Sequence, residues 1–171
     1  MTTATPTLTG PYQWKPAPDL VIAVHGLAGP QGSKSPAGWG KSRKTGKTIP
    51  LMRESSKKVK PWREKVQAAI EAALLTGDAQ YLVGPVRADI TFTMPKPVNA
   101  PKRRRTYPAV YPDIDKLERS TYDAISKSGA WEDDGRVIEN QSRKVYPGEH
   151  PDALDQPGAV IRLYTLTGDP S

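Results

Sequence analysis

The segment from Pro112 to Asp134 constrains the fold of this chain most, because it combines a helical pattern with a concentration of carboxylates. It holds seven carboxylates and three bases, in a chain of 171 residues whose formal net charge is +7. Its apolar and small side chains recur at helical spacing and predict a buried face that consists of Leu117, Thr121, Ala124, Ile125 and Ser128. Gly129 is typical of a residue that ends a helix. The segment therefore predicts one amphipathic helix with acids at both ends.

Other stretches predict a second helix and about four strands. Residues 57–77 carry an apolar stripe that includes Trp62, with Ser55 or Ser56 as the cap and Gly77 as the stop. Strand patterns occupy residues 20–25, 83–94, 136–146 and 159–166. Residues 26–48 are rich in Gly, Ser, Pro and Lys, and this composition indicates a loop.

These elements predict an α/β (α+β) domain, in which a small mixed sheet of about four strands has two main helices packed on it. We expect residues 1–18 to form a flexible N-terminal tail and residues 19–168 to form one domain. The N-terminus lacks the pattern of a signal peptide, and no apolar run approaches the roughly 18–20 residues of a membrane helix. We therefore expect a cytoplasmic protein that does not contact a membrane.

Composition narrows the chemistry further. The chain has no cysteine, which excludes disulfides, thiolate zinc sites and cysteine nucleophiles. Its positive net charge favours an acidic partner such as nucleic acid, although a basic composition also serves solubility alone.

The acids before the helix suggest a metal site. Asp113 and Asp115 are two residues apart after Pro112, and in an extended chain both side chains project to the same side. Oxygen ligands without cysteine indicate Mg²⁺, with Mn²⁺ as an alternative. The other reading is that Asp115 and Glu118 only cap the helix and bind no metal.

The acids after the helix are Asp133 and Asp134. The two helix ends lie roughly 20 Å apart, so these acids reach the first pair only if the chain folds back. We expect a strand that begins at Arg136, beside the strand of Asp113, to supply this closure.

Basic residues complete a site for phosphodiester hydrolysis. A metal held by these carboxylates would activate water, and Arg119 or Lys116 would neutralise charge on the reacting phosphate. The predicted contacts to the DNA backbone are Lys34, Lys57, Lys58, Lys102, Arg103, Arg104, Arg105 and Lys144. The alternative is that these bases form solvated, mobile loops.

The segment 112–146 resembles the signature of the RusA family of Holliday junction resolvases. The matching features are the D-x-D-K-L-x-R pattern that starts at Asp113, the D-A-I at 123–125, Gly129, the Asp133–Asp134 pair, and a strand that ends in lysine. Upstream, residues 26–34 and the stretch ESSKKVKPWREKV are also similar to bacterial and phage members.

The resemblance implies a homodimeric, Mg²⁺-dependent endonuclease that makes paired symmetric nicks at four-way DNA junctions during recombination and repair. It implies Asp113, Asp115 and Asp134 as the essential carboxylates, with Asp133 beside them. The catalytic basic residue falls on Arg119, where the best-known member has a lysine, and Lys116 is the other candidate.

Two further functions stay open. One is a nuclease with a broader preference for flaps and forks, since residues 35–50 look longer than the family core needs. The other is a DNA-binding protein without catalytic activity.

Overall fold

The computed structural model describes residues 12–32, 34–54 and 57–168, and it has mixed α+β architecture. Six strands, two α-helices and one 3-10 turn follow in chain order. They are β1 (Leu20–His25), β2 (Lys34–Lys41), β3 (Thr48–Glu54), α1 (Val59–Thr76), β4 (Val86–Thr93), α2 (Ile114–Ser128), the 3-10 turn (Asp134–Arg136), β5 (Val137–Val145) and β6 (Gly158–Thr165).

The main sheet has four strands in the order β1-β6-β4-β5. β6 pairs antiparallel with both β1 and β4, whereas β4 and β5 are parallel. Parallel neighbours need a crossover, and α2 provides it, so β4, α2 and β5 form a βαβ unit. The predicted mixed sheet with two helices is confirmed.

The two helices pack on each other through buried side chains. Trp62 and Val66 of α1 and Leu117 and Ile125 of α2 are each at most 1% exposed. The indole Nε1 of Trp62 donates a hydrogen bond to Thr121 Oγ1 at 3.0 Å, so its one polar atom is satisfied inside the core. This arrangement confirms the predicted buried face of α2.

Both predicted helix stops are confirmed. Gly77 and Gly129 cap the C-terminal ends of α1 and α2 in the left-handed conformation, with φ of 80° and 77°. α1 begins at Val59 with Lys58 as its N-cap, and Ser55 and Ser56 lie outside the described residues.

A short strap, residues 26–31, joins the starts of the two helices. Ser120 Oγ donates to the Gly29 carbonyl at 2.6 Å, and the Gln31 amide donates to the Lys116 carbonyl at 2.8 Å. A Cβ on Gly29 would lie 2.1 Å from the Lys58 carbonyl oxygen, so only glycine fits at this contact. The strap therefore fixes the start of α1 beside the first turns of α2.

The prediction of a loop over residues 26–48 is wrong for residues 34–41, which form β2, and for Thr48, which begins β3, whereas residues 42–47 form the turn between the two strands. β2 and β3 form an antiparallel hairpin, with an irregular register between Pro36 and Trp39. The Gly- and Lys-rich composition has little strand propensity, and cross-strand pairing overrides it. Among the described residues, the strands of this hairpin pair only with each other.

The end of the predicted tail also contacts the sheet. Trp14 forms an isolated bridge with Leu166, and the Lys15 amide donates to the Thr165 carbonyl at 3.1 Å. Residues 1–11 lie outside the described residues. In the part that the structure describes, neither helix is long and apolar enough to cross a membrane.

Candidate active site

Asp113 stands at the N-terminus of α2, where its backbone is extended and its carbonyl accepts the Leu117 amide at 3.2 Å. Its carboxylate makes no capping hydrogen bond and instead pairs with Lys116 Nζ at 2.7 Å. Both side chains are more than 40% exposed. The hydrogen bond and charge of Lys116 lower the pKa of Asp113, and Asp113 in turn raises the pKa of Lys116.

The expectation that Asp113 and Asp115 share one extended segment is wrong. The helix begins at Ile114, so Asp115 lies inside the first turn of α2. Residues two apart at a helix start do not project to the same side as they do in a strand. Asp115 instead shares its helix face with Arg119, four residues later, and both are exposed.

Lys144, at the end of β5, holds the segment that leads into Asp113. Its Nζ donates to the carbonyls of Val110 at 2.7 Å and Pro112 at 2.8 Å. Its charge also contributes to the lowered pKa of Asp113. Lys144 was predicted as a DNA contact, and the structure gives its ammonium group a positioning role at the carboxyl ends of the parallel strands.

Asp133 and Asp134 occupy an exposed 3-10 turn just before β5. The Asp133 carboxylate accepts the Gly135 amide at 2.7 Å, which fixes the turn. Although Asp134 is exposed as a residue, partial desolvation of its carboxyl raises its pKa, and the charges of Asp133 and Asp123 raise the pKa further. The ionised form of Asp134 is therefore disfavoured where it stands.

The two pairs of acids lie at different parts of α2. Asp113 and Asp115 stand at its start, and Asp133 and Asp134 follow its end. β5 pairs with β4, so the predicted strand at Arg136 does not lie beside a strand of Asp113, and that expectation is wrong. The chain does fold back, because Asp134 comes close enough to Asp123 for their charges to interact. Asp123 is two helical turns, about 12 Å, along α2 from Asp115.

The donor chemistry of the site fits a hard cation. The candidate ligands are carboxylates only, and the pKa of Asp134 is raised by desolvation and then by repulsion from Asp133 and Asp123, a repulsion that a bound cation would relieve. Among the described residues, no three acids or histidines already surround one point. The candidates Asp113, Asp115, Asp133 and Asp134 are all exposed, so a metal ion can reach each of them from solvent.

The predicted DNA contacts that the structure describes are exposed, apart from Lys144. Lys57 and Lys58 are exposed at the start of α1, and Lys58 lines the same groove as Tyr111 and Pro112. The loop from Lys102 to Arg105 is also exposed, with the Arg105 guanidinium 5.3 Å from the Tyr107 ring centre. The side chain of Lys34 lies outside the described part of the structure.

Sequence reasoning missed Arg63 as part of this site. Its guanidinium pairs with Asp123 and donates to the side chain of Gln31, and only 17% of the Arg63 side chain is exposed. It therefore neutralises one of the acids next to Asp134. Gln31 and Asp123 lie 32 and 60 residues from Arg63 in sequence, so no local pattern pointed to this contact.

Carboxylates at both ends of the βαβ crossover, with Lys116 and Lys144 beside Asp113, would suit phosphodiester cleavage if they held a metal together. Residues 35–153 match the family described as endodeoxyribonuclease RusA. This match spans more than half of the chain, and the protein belongs to the RusA family of endodeoxyribonucleases. Comparison with curated proteins finds no match.

The pKa of Asp134 is raised and that of Asp113 is lowered, so we expect Asp134→Asn and Asp113→Asn to change stability in opposite directions in EDTA. Because the pKa of Asp134 is raised in the folded state, its charge costs stability above that pKa. We expect Asp134→Asn to raise the melting temperature at neutral pH. This gain should shrink as the pH falls through the raised folded-state pKa of Asp134 and should vanish below the ordinary pKa of an aspartate.

Asp113→Asn is the matched control. The lowered pKa of Asp113 means that its ion pair adds stability above the unfolded-state pKa, and this stability is lost as the pH falls through the folded-state pKa. We expect Asp113→Asn to lower the melting temperature at neutral pH. Shifts of the same sign for the two variants in differential scanning fluorimetry would contradict this assignment.

Proposed function

We propose that the protein is a Mg²⁺-dependent, structure-selective endodeoxyribonuclease that resolves Holliday junctions by paired symmetric nicks. Membership of the RusA family supports this substrate and reaction. The observation that carries the proposal is the groove that Lys58 lines together with Pro112, the residue directly before Asp113. A lysine that can contact phosphate thus lines the groove next to the segment that carries Asp113. We assign the activity to DNA recombination and repair in a bacterial cell or a phage-infected host.

Asp113, Asp115 and Asp134 would hold the metal, with Asp133 beside them. When bound there, Mg²⁺ supplies Lewis-acid activation of water and polarises the phosphate. Lys116 already neutralises Asp113, and their pairing keeps the Asp113 carboxylate ionised at neutral pH. Lys144 holds the backbone that leads to Asp113, and this limits the movement of the site around the substrate.

Arg119 is the better candidate for the contact to the scissile phosphate. It shares a helix face with Asp115, and the described residues include no ion pair to it, whereas Lys116 is engaged by Asp113. A guanidinium stays charged at any working pH and offers several donors to phosphate oxygens. We therefore assign Arg119 to charge neutralisation in the transition state rather than to proton transfer.

A homodimer fits this substrate. A four-way junction offers two equivalent scissile positions, and a two-fold symmetric protein presents two equivalent sites to them. Each protomer would then cut one strand before the complex dissociates.

Cleavage of defined DNA substrates tests the proposal. The substrates are a labelled four-way junction, a fork, a flap and a linear duplex. We expect wild-type protein with Mg²⁺, and not with EDTA, to nick the junction in preference to the fork and the flap and to leave the duplex intact. Asp115→Asn should abolish nicking while junction affinity stays equal or rises, because a metal ligand is lost and a negative charge near phosphate is removed. Electrophoretic mobility shifts report the affinity.

Three outcomes of that experiment would count against the proposal. Intact junctions in every lane would overturn the cleavage assignment and favour a DNA-binding protein without activity. Equal cleavage of forks and flaps would favour a broader branched-DNA nuclease. An unfolded Asp115→Asn variant would indicate that Asp115 serves the helix rather than the metal.

Paired substitutions test the assignment of the basic residue. We expect Arg119→Ala to slow single-turnover cleavage by roughly 100-fold or more, the loss typical of one transition-state charge contact. Arg119→Lys should recover part of this rate. Lys116→Ala should have the smaller effect, and a larger effect from Lys116→Ala than from Arg119→Ala would reverse the assignment.

A further inference from the structure

An apolar groove lies beside the candidate active site, between the strap and the segment that leads into Asp113. Its wall includes Leu27 and Pro30 on one side and Val110 and Tyr111 on the other. Tyr111 is 69% exposed and Val110 is 66% exposed, so two large side chains face solvent next to a polar site. Exposed apolar surface rimmed by polar residues is typical of a binding site.

The wall of the groove is held in place by hydrogen bonds. Lys144 Nζ donates to the carbonyl oxygens of Val110 and Pro112, on either side of Tyr111. Met94 and Tyr146, both buried, also line the groove. A wall fixed in this way loses little conformational freedom when it is occupied.

The charges around the groove identify the kind of occupant. Lys58 lines it, and the adjoining concavity is formed by Lys57, Lys58 and Lys65 with Leu27. Among the described residues that line either surface there is no carboxylate. A second copy of this chain, with its own net charge of +7, would bring cations towards these lysines. A flat apolar group attached to an anionic backbone fits better, and a nucleobase has this chemistry.

The site also suits what a branched DNA offers. Aromatic side chains next to a positive surface bind unstacked bases without reading their sequence. Displacing a base from the duplex costs least where pairing and stacking are already disturbed, as at a branch point. Tyr111 and the apolar wall therefore provide a reason to prefer branched over continuous DNA.

We propose that this groove takes one unstacked nucleobase of the branched DNA, stacked on Tyr111, beside the phosphodiester that is cleaved. This inference rests on the proposed function. It adds a determinant of structure selectivity that is separate from the carboxylates.

A thermodynamic cycle in metal-free buffer tests the inference. Binding is measured by fluorescence anisotropy for wild-type, Tyr111→Ser and Tyr111→Phe on four-way junctions and on linear duplex. In parallel, each nucleotide around the branch point is replaced in turn by an abasic nucleotide. Tyr12→Ser is the matched control. Tyr12 is an exposed tyrosine that packs on Trp14 and lies outside the groove.

We expect Tyr111→Ser to weaken junction binding roughly 5- to 150-fold, while its duplex binding and the affinity of Tyr111→Phe stay near wild type. At one position, an abasic nucleotide should weaken the binding of the junction to wild-type protein by a similar factor. The same abasic junction should bind Tyr111→Ser no more weakly than the intact junction does. Tyr12→Ser should bind like wild type. Val110→Ser should also weaken junction binding. Agreement between the two variants would show that the loss does not come from a folding defect in one of them.

Additive losses at every position, or unchanged junction affinity in Tyr111→Ser, would overturn the inference. A dimer that becomes a monomer in sedimentation of Tyr111→Ser would also overturn it and would assign the groove to a contact between copies. Wild-type protein that shows the base-dependent cycle but cuts no junction with Mg²⁺ would overturn the proposed function and leave the base site standing.

Discussion

The packing of α1 on α2 is the constraint on which the rest of the site depends. Trp62 and Thr121 are almost fully buried, and their hydrogen bond satisfies the indole in a place that water does not reach. Loss of such a partner typically costs about 1–3 kcal/mol. The strap at Gly29 adds a second connection between the same helix starts. Together these contacts bring the lysines at the start of α1 to the side of the molecule that carries Asp113.

The topology of the sheet explains why the acids fall into two groups. Because β4 and β5 are parallel, α2 crosses from the carboxyl end of β4 back to the start of β5. Asp113 therefore lies at the start of the crossover, and Asp134 lies at its end, just before β5. The return of the 3-10 turn towards Asp123 shortens the separation, and Arg63 offsets part of the charge that gathers there. The proposed metal site requires the two groups of acids to come closer together than they stand here.

Features with a local signal could be predicted from the sequence. The buried face of α2, the glycine stops of both helices and the buried position of Trp62 follow from periodicity and backbone preference, and the structure confirms them. The hairpin of β2 and β3 could not be predicted, because its Gly- and Lys-rich strands become strands only through pairing with each other.

The geometry of the site was only partly predictable for the same reason. Asp115 was predicted to follow Asp113 in an extended segment and to cap the helix. Because α2 begins at Ile114, Asp115 instead lies inside the first turn. The partner of β5 and the contact of Arg63 with Asp123 both depend on residues distant in sequence, about which local patterns carry no information. The residue types of the candidate site could be predicted from the sequence, whereas the positions of these residues relative to one another depend on the fold.

We propose that Asp115, in the first turn of α2, and Asp134, which lies near Asp123 further along the same helix, hold one cation between them. The most direct measurement is a Mn²⁺ titration followed by electron paramagnetic resonance, on wild-type protein, Asp115→Asn and Asp134→Asn, with the exposed Asp155→Asn as control. The account predicts that the first two variants lose the same binding event and that the control keeps it. Wild-type binding in both variants, or loss in only one of them, would contradict it.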